Sequence, residues 1–216
     1  MVTEFIFVRH GETDANREGI LQGNMDVPLN PIGIRQAQAV AEYLKDTCFD
    51  AAFSSPLKRA AQTAEILAEV NRQSFPLEFN EALREWNCGE IDGLKWADIN
   101  ARYIEVAKSF CFEQIDVQMP GGESGWEFQH RVENFVKECC ERFAGKKVLL
   151  VAHGGVLQRI FRFVAGVIAD GNMIPLAGNA SVSSFLFNHD LDAWQLTSWN
   201  VKEHLNGIPQ HISRVI

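Results

Sequence analysis

Two histidines and two arginines stand where an apolar run of the sequence gives way to polar residues. Arg9 and His10 follow Phe5-Ile6-Phe7-Val8 and precede Gly11. His153 follows Lys147-Val148-Leu149-Leu150-Val151-Ala152 and precedes Gly154-Gly155. Arg59 lies a few residues beyond Ala51-Ala52-Phe53, in Ser54-Ser55-Pro56-Leu57-Lys58-Arg59. Guanidinium groups bind phosphoryl oxygens through paired, charge-assisted hydrogen bonds, and a neutral imidazole can attack phosphorus. Gathered together, these residues would hold a dianionic phosphoryl group with a histidine beside it as nucleophile. Taken alone, an Arg-His pair would be no more than the polar end of a strand.

What could gather them is a parallel sheet. Short, continuous apolar runs rich in β-formers read as strands buried on both faces. In open α/β sheets, ligands bind beyond the carboxyl ends of such strands. Between them, Asn30-Pro31 and Ser55-Pro56 each supply a capping residue and a proline at the first helical position. The first predicts a helix carrying Ile32, Ala37, Val40, Ala41 and Leu44, the second a helix running to about Asn71 with Arg59 in its first turn. Gly121-Gly122-Glu123-Ser124 predicts a turn into a helix reaching Phe143, and residues 156–164 predict another helix after His153. Residues 76–80, 182–187 and 194–199 are further strand candidates. Residues 11–30 read as a functional loop. In it Asn16, Arg17 and Gln22 offer side-chain donors and Gly23 a backbone N–H. The pattern is α/β, with a mostly parallel central sheet.

Composition narrows the partners. The chain has 216 residues, which suits one domain over 1–216, and a net charge of -8, which argues against nucleic acid and anionic membrane. The five cysteines are odd in number and include no C-x-x-C pair, so reduced thiols are expected rather than a disulfide framework or a metal site. No basic segment followed by an apolar core opens the chain, and no apolar run approaches the ~20 residues that span a bilayer. A cytoplasmic protein is expected, and a homodimer is compatible with all of this.

The ordered set of motifs resembles the histidine phosphatase, or phosphoglycerate-mutase-like, superfamily. It comprises Arg9-His10-Gly11-Glu12-Thr13, Asn16, Gln22-Gly23, Asp26, Pro28-Leu29-Asn30 and Gly33, then Ser54 through Ala64, and Leu83-Arg84-Glu85 with Gly89 and Gly93. Gly121-Gly122-Glu123-Ser124, His153-Gly154-Gly155 and Asn179-Ala180-Ser181 complete it. The resemblance implies a three-layer sandwich with helices on both faces of the sheet. It implies His10 as nucleophile, with Arg9, Arg59, His153 and Asn16 on the phosphoryl oxygens and Gln22-Gly23 facing them. Glu85 would protonate the leaving oxygen and then activate water; no metal and no cofactor are implied. Asp92 stands where the family often has glutamate, and its role is left open.

The leading expectation is a phosphatase acting on small phosphorylated metabolites through phosphohistidine. A phosphoglycerate mutase is the second reading, although dedicated mutases of the family are typically longer between the acid and the Gly-Gly-Glu turn. A third, an inactive phospho-ligand-binding module, would need a core residue to be lost, and none is. Residues 95–120 are apolar and aromatic without strand rhythm: Trp96, Ile99, Tyr103, Ile104, Val106, Phe110, Phe112 and Ile115. They are expected to form a small helical cap over the sheet edge, or else a helical hairpin packed on the core.

Overall fold

The computed structural model describes residues 1–107, 117–166 and 175–211. In chain order the elements are β1 (Val2–Arg9), α1 (Asp14–Glu18), α2 (Pro31–Leu44), β2 (Ala51–Ser54), α3 (Lys58–Val70) and β3 (Leu77–Phe79). Then come α4 (Trp96–Arg102), α5 (Gly125–Arg142), β4 (Lys147–Ala152), α6 (Gly154–Ala165), β5 (Val182–Asn188) and β6 (Ala193–Val201). Short 3-10 turns at Glu81–Leu83, Gly89–Ile91 and Glu203–Leu205 link some of them.

All six strands form one sheet in the order β3-β2-β4-β1-β5-β6. β3, β2, β4 and β1 run parallel, and β5 and β6 are antiparallel additions on the β1 side. Period-two alternation sends successive side chains of each central strand to opposite faces. Phe5, Phe7, Phe53, Val148 and Leu150 therefore pack with Phe128, Val132, Phe135 and Val136 of α5 and Val156 and Ile160 of α6. Ile6, Val8, Ala52, Leu149 and Val151 pack on the other side with Val40, Ala41 and Leu44 of α2 and Ala60, Ala64 and Leu67 of α3. This is the expected sandwich, with helices on both faces of the sheet.

The register then does the assembly. Arg9 pairs with Ala152 and Ser54 with Val151. The residues immediately after β1, β4 and β2 thus emerge side by side at one edge.

Local expectations fail at two places. α3 begins at Lys58 with Leu57 as an N-cap that makes no side-chain bond, so Ser55-Pro56 does not open it. The Ser55 N–H still reaches the sheet, donating to the Val151 carbonyl at 3.0 Å, which holds Ser55 outside helical geometry. The 11–30 loop contains α1, opened by a capping box in which Thr13 and Asn16 exchange bonds. The tail is packed where it is described: Leu205 is buried and the Pro209 carbonyl accepts from Gln36 Nε2 at 3.1 Å.

The expected cap divides. Ile99 is buried, Tyr103 and Val106 pack against the core, Ile104 is exposed, and Phe110, Phe112 and Ile115 lie outside the described residues. Among the described residues, no helix is long and apolar enough to cross a membrane.

Candidate active site

At the carboxyl edge of the sheet lies a cavity of about 370 Å³. Its walls include Arg9, His10, Asn16, Gln22, Gly23, Arg59 and Glu85, drawn from widely separated parts of the chain.

His10 is almost fully buried just past β1, where its backbone N–H donates to the Ala152 carbonyl at 3.0 Å. Its Nδ1 lies 2.7 Å from the Gly11 carbonyl oxygen, which can only accept. Nδ1 therefore carries the proton, and Nε2 keeps its lone pair. Burial, with Arg59 and Arg9 close by, holds the imidazole well below its ordinary pKa of 6.5, against the smaller opposing pull of the Gly11 carbonyl. His10 is thus neutral at pH 7, with one nitrogen fixed and the other available.

Arg59 is gripped on every side. Its Nε donates to His153 Nδ1 at 3.1 Å, Nη1 to the Met25 carbonyl at 2.6 Å and Nη2 to the Gly23 carbonyl at 2.8 Å. Burial brings it from 12.5 to about 10, so it stays charged at neutral pH. Arg9 is tethered by a bond from Nη1 to the Ala177 carbonyl. Burial lowers its pKa, with Glu85 pulling the other way.

His153 is fully buried and does not line the cavity. It accepts from Arg59 at Nδ1, so Nε2 carries its proton and faces Ser55 Oγ at 2.8 Å. Its ring centroid lies 5.1 Å from that of His10. Burial, followed by Arg59, holds it well below 6.5. Of the residues expected to touch a phosphoryl group, His153 is the one this structure places behind another, with both ring nitrogens already engaged.

Asn16 faces the cavity from the start of the helix it caps. Its Oδ1 accepts from the Thr13 N–H at 3.1 Å and from Asn179 Nδ2 at 3.1 Å, which leaves the amide nitrogen as its free donor. Gln22 Oε1 is tied to the Thr13 hydroxyl at 2.9 Å, and its amide nitrogen is likewise left over. Arg17 turns outward to pair with Asp14 at 2.6 Å and takes no part in the cavity wall. Lys58 pairs with Asp26 at 3.1 Å on the surface.

Glu85 approaches the N-terminus of α6. Its Oε2 accepts from the Gly155 N–H at 3.0 Å and its Oε1 from the Trp86 N–H at 2.9 Å. The segment that carries it is bolted down by Arg131. That guanidinium bonds both carboxylate oxygens of Glu123, at 2.9 and 2.8 Å, and donates to the carbonyls of Ala82 and Arg84.

Asp92 lies under the loop rather than in the cavity. Its Oδ2 accepts from the Asn24 N–H at 3.1 Å, and a Cβ on Gly23 would stand 1.8 Å from its Oδ1. Burial raises its pKa to about 6, against the lowering effect of that hydrogen bond and of Arg59. Asp92 therefore supports the backbone whose carbonyls hold Arg59.

Several lining residues escaped the reading of the sequence: Cys88, Phe128, Gln158, Arg159, Lys202 and His211. Gln158 and Arg159 lie one helical turn beyond Gly154 and Gly155, so helical spacing alone could have singled them out. Lys202 and His211 carry no local signal.

Comparison with known proteins places this geometry. The sequence profile of the histidine phosphatase superfamily (branch 1) matches residues 5–202. A metal-independent phosphoserine phosphatase of Arabidopsis thaliana is 33% identical over 209 residues, 96% of this chain and 85% of that protein. Phosphoglycerate mutase-like protein 4 of the same plant is 34% identical over 205 residues, 94% of this chain and 86% of that one. The crystal structure of a phosphoserine phosphatase mutant from Entamoeba histolytica, in complex with phosphoserine, superposes with a TM-score of 0.80 at 27% identity. It covers 94% of this chain and 99% of the other.

Proposed function

The chain belongs to the histidine phosphatase superfamily, and from that footing we propose that it is a metal-independent phosphatase. Its substrates are small phosphomonoesters, hydrolysed through a phosphohistidine at His10. The observation that carries this reading is the state of His10: buried and neutral between two arginines, with Nδ1–H tied to a carbonyl and Nε2 left at the cavity wall. Phosphoserine phosphatases among its relatives support the same reading.

The reaction follows from the geometry. A phosphoryl group between Arg9 and Arg59 has its oxygens neutralised by two guanidinium groups, and the Asn16 amide adds a donor. The His10 Nε2 lone pair attacks phosphorus, the N–P bond forms, and the ester P–O bond breaks in line with it. Glu85 passes its proton to the departing alkoxide. It then takes a proton from water, which attacks the phosphohistidine and restores free His10 with inorganic phosphate. The Gly11 carbonyl accommodates the imidazolium character that develops at Nδ1. His153, first read as a direct ligand of the phosphoryl group, acts here through Arg59 by fixing the plane of its guanidinium.

Replacing His10 with alanine should cost several orders of magnitude in phosphate release from p-nitrophenyl phosphate. Rapid acid quench of wild type is avoided, because the phosphoenzyme should be labile in acid and stable in alkali. A His10→Ala protein that keeps a tenth of wild-type activity would defeat the assignment. A mutase is the second reading, favoured by the phosphoglycerate mutase-like relative. A 2,3-bisphosphoglycerate requirement, with no phosphate released from any ester of a substrate panel, would select it.

A further inference from the structure

His10 keeps its Nε2 lone pair free only while the Gly11 carbonyl stays opposite Nδ1. Glycine is the residue least able to hold its own backbone still. The structure holds it from outside. The peptide that joins Gly11 to Glu12 is fixed at both ends. Its N–H donates to Gln36 Oε1 at 2.8 Å, and its carbonyl accepts from Asn179 Nδ2 at 3.3 Å. The same Asn179 nitrogen lies 3.2 Å from the His10 carbonyl oxygen and 3.1 Å from Asn16 Oδ1.

These three neighbours decide which end of the Asn179 amide faces them. Two are main-chain carbonyls, and Asn16 Oδ1 is fixed as an acceptor by the Thr13 N–H, which donates to it at 3.1 Å. Only the Asn179 NH2 can therefore point inward, its two hydrogens shared among three oxygens. Oδ1 at the other end is buried and meets no donor among the described residues.

The backbone is strained to deliver this amide. Ala180 takes a left-handed φ of +54°, which residues with a Cβ rarely adopt. Hydrogen bonds to the end of β1 hold it there. The Ala180 N–H donates to the carbonyls of Arg9 and His10 at 3.1 Å each, and the Ser181 carbonyl accepts from the Arg9 N–H at 3.1 Å. His204 Nε2 donates to the Ala180 carbonyl at 2.8 Å. Asn179 itself is buried and does not line the cavity, so it reaches the reaction through His10 and Asn16, which do.

We propose that Asn179 is a positioning residue for phosphoryl transfer. Its amide fixes the Gly11 carbonyl against His10 Nδ1 and turns the Asn16 amide nitrogen toward the phosphoryl oxygens. The inference rests on His10 as nucleophile and deepens that reading. Without the amide the Gly11–Glu12 peptide can rotate, and the proton on His10 is no longer confined to Nδ1. Misplacement of reacting groups on this scale costs about 10²-fold in rate.

Two variants, Asn179→Ala and Asn179→Asp, test it. Near neutral pH both should lower kcat on p-nitrophenyl phosphate by about 10²-fold. The aspartate places a carboxylate against three acceptor oxygens, and only its protonated form can donate. Its kcat relative to wild type should therefore rise as pH falls, while the ratio for Asn179→Ala stays flat. With isotope-labelled histidine, ring-nitrogen NMR shifts should show wild-type His10 protonated at Nδ1 and bare at Nε2. Asn179→Ala should show exchange between the two tautomers. A folded Asn179→Ala with wild-type kcat or unaltered His10 shifts, or an Asn179→Asp ratio indifferent to pH, would overturn the role. So would variants that lose the fold, since Asn179 would then be structural. If wild type releases no phosphate from any ester, the phosphatase reading fails by itself, and the ring-nitrogen shifts still decide whether Asn179 sets the tautomer.

Discussion

The Gly155 N–H donates to Glu85 Oε2 at 3.0 Å, and a methyl group on Gly155 would stand 2.3 Å from Oε1 of the same carboxylate. The glycine pair after His153 thus has two uses. It opens α6, and it leaves room for the acid to dock on that helix's first N–H groups, where positive potential is concentrated.

Gly155→Ala should therefore imitate damage to the acid itself. Glu85→Gln should slow esters with poor leaving groups by roughly 10²–10⁴-fold, the usual span for a general acid. Formation of phosphohistidine from p-nitrophenyl phosphate, whose leaving group hardly needs a proton, should suffer much less. Gly155→Ala should show the same asymmetry in a burst experiment with the two substrate types. Equal losses on both would mean that the proton comes from elsewhere.

The loop over Arg59 makes a second prediction. Gly23 has φ +44° and lies against Asp92, so Gly23→Ala meets both a strained backbone and a carboxylate at 1.8 Å. Displacing the loop moves the Gly23 and Met25 carbonyls that hold Arg59, and KM should rise about tenfold with the fold intact. Adding Asp92→Ala removes the clash. The double variant should then be less impaired than the two single effects combined, because contacting residues couple. Simple additivity in KM would dissociate the loop from Arg59.

Stability should depend on pH through the buried histidines. His10 and His153 are held well below 6.5 when folded, while in the unfolded chain they titrate near 6.5. Below that value the unfolded state binds more protons, so stability falls as pH falls, by about 1.4 kcal/mol per pH unit for each histidine. Asp92 works in the opposite sense. Raised to about 6, it favours the folded state below its unfolded value and loses that contribution as pH climbs through 6. Denaturant unfolding between pH 5 and 7.5 should show stability increasing with pH. A flat profile would mean that the two imidazoles are not buried neutral.

Residues of the 95–120 segment should separate by position. Trp96 lines the cavity, whereas Ile99 is fully buried. Ile99→Ala should cost about 2–5 kcal/mol of stability with the ranking of substrates preserved. Trp96→Ala should change that ranking, most for bulkier esters, and leave the melting temperature nearly fixed. The opposite pattern would make Trp96 a core residue and remove the case for a substrate-selecting cap.

Much of the site could be read along the chain because its parts are local. A strand buried on both faces must be an apolar run, so the ends of β1, β2 and β4 show as the places where Val8, Phe53 and Ala152 give way to polar residues. Arg9 and His10 stand at the end of β1, Arg59 lies a few residues past the end of β2, and the glycines after His10 and His153 mark where the backbone turns. Asn30 and Ser124 announce their helices by capping, a property of a few consecutive residues.

Ser55 was misleading for the same reason. Its type and the proline after it fit a cap, but a hydrogen bond to β4 keeps its backbone in the sheet and turns its hydroxyl toward His153. No local rule anticipates a competitor that lies 98 residues away. The sequence determined by itself which residues would stand at strand ends and which chemistry they could perform. Only the tertiary structure decided that His153 would sit behind Arg59, that Asp92 would lie beneath Gly23, and that the chain leaving β6 would bring Lys202 to the cavity wall. Those outcomes depend on strand order, register and packing, which are set by burial summed over the whole molecule.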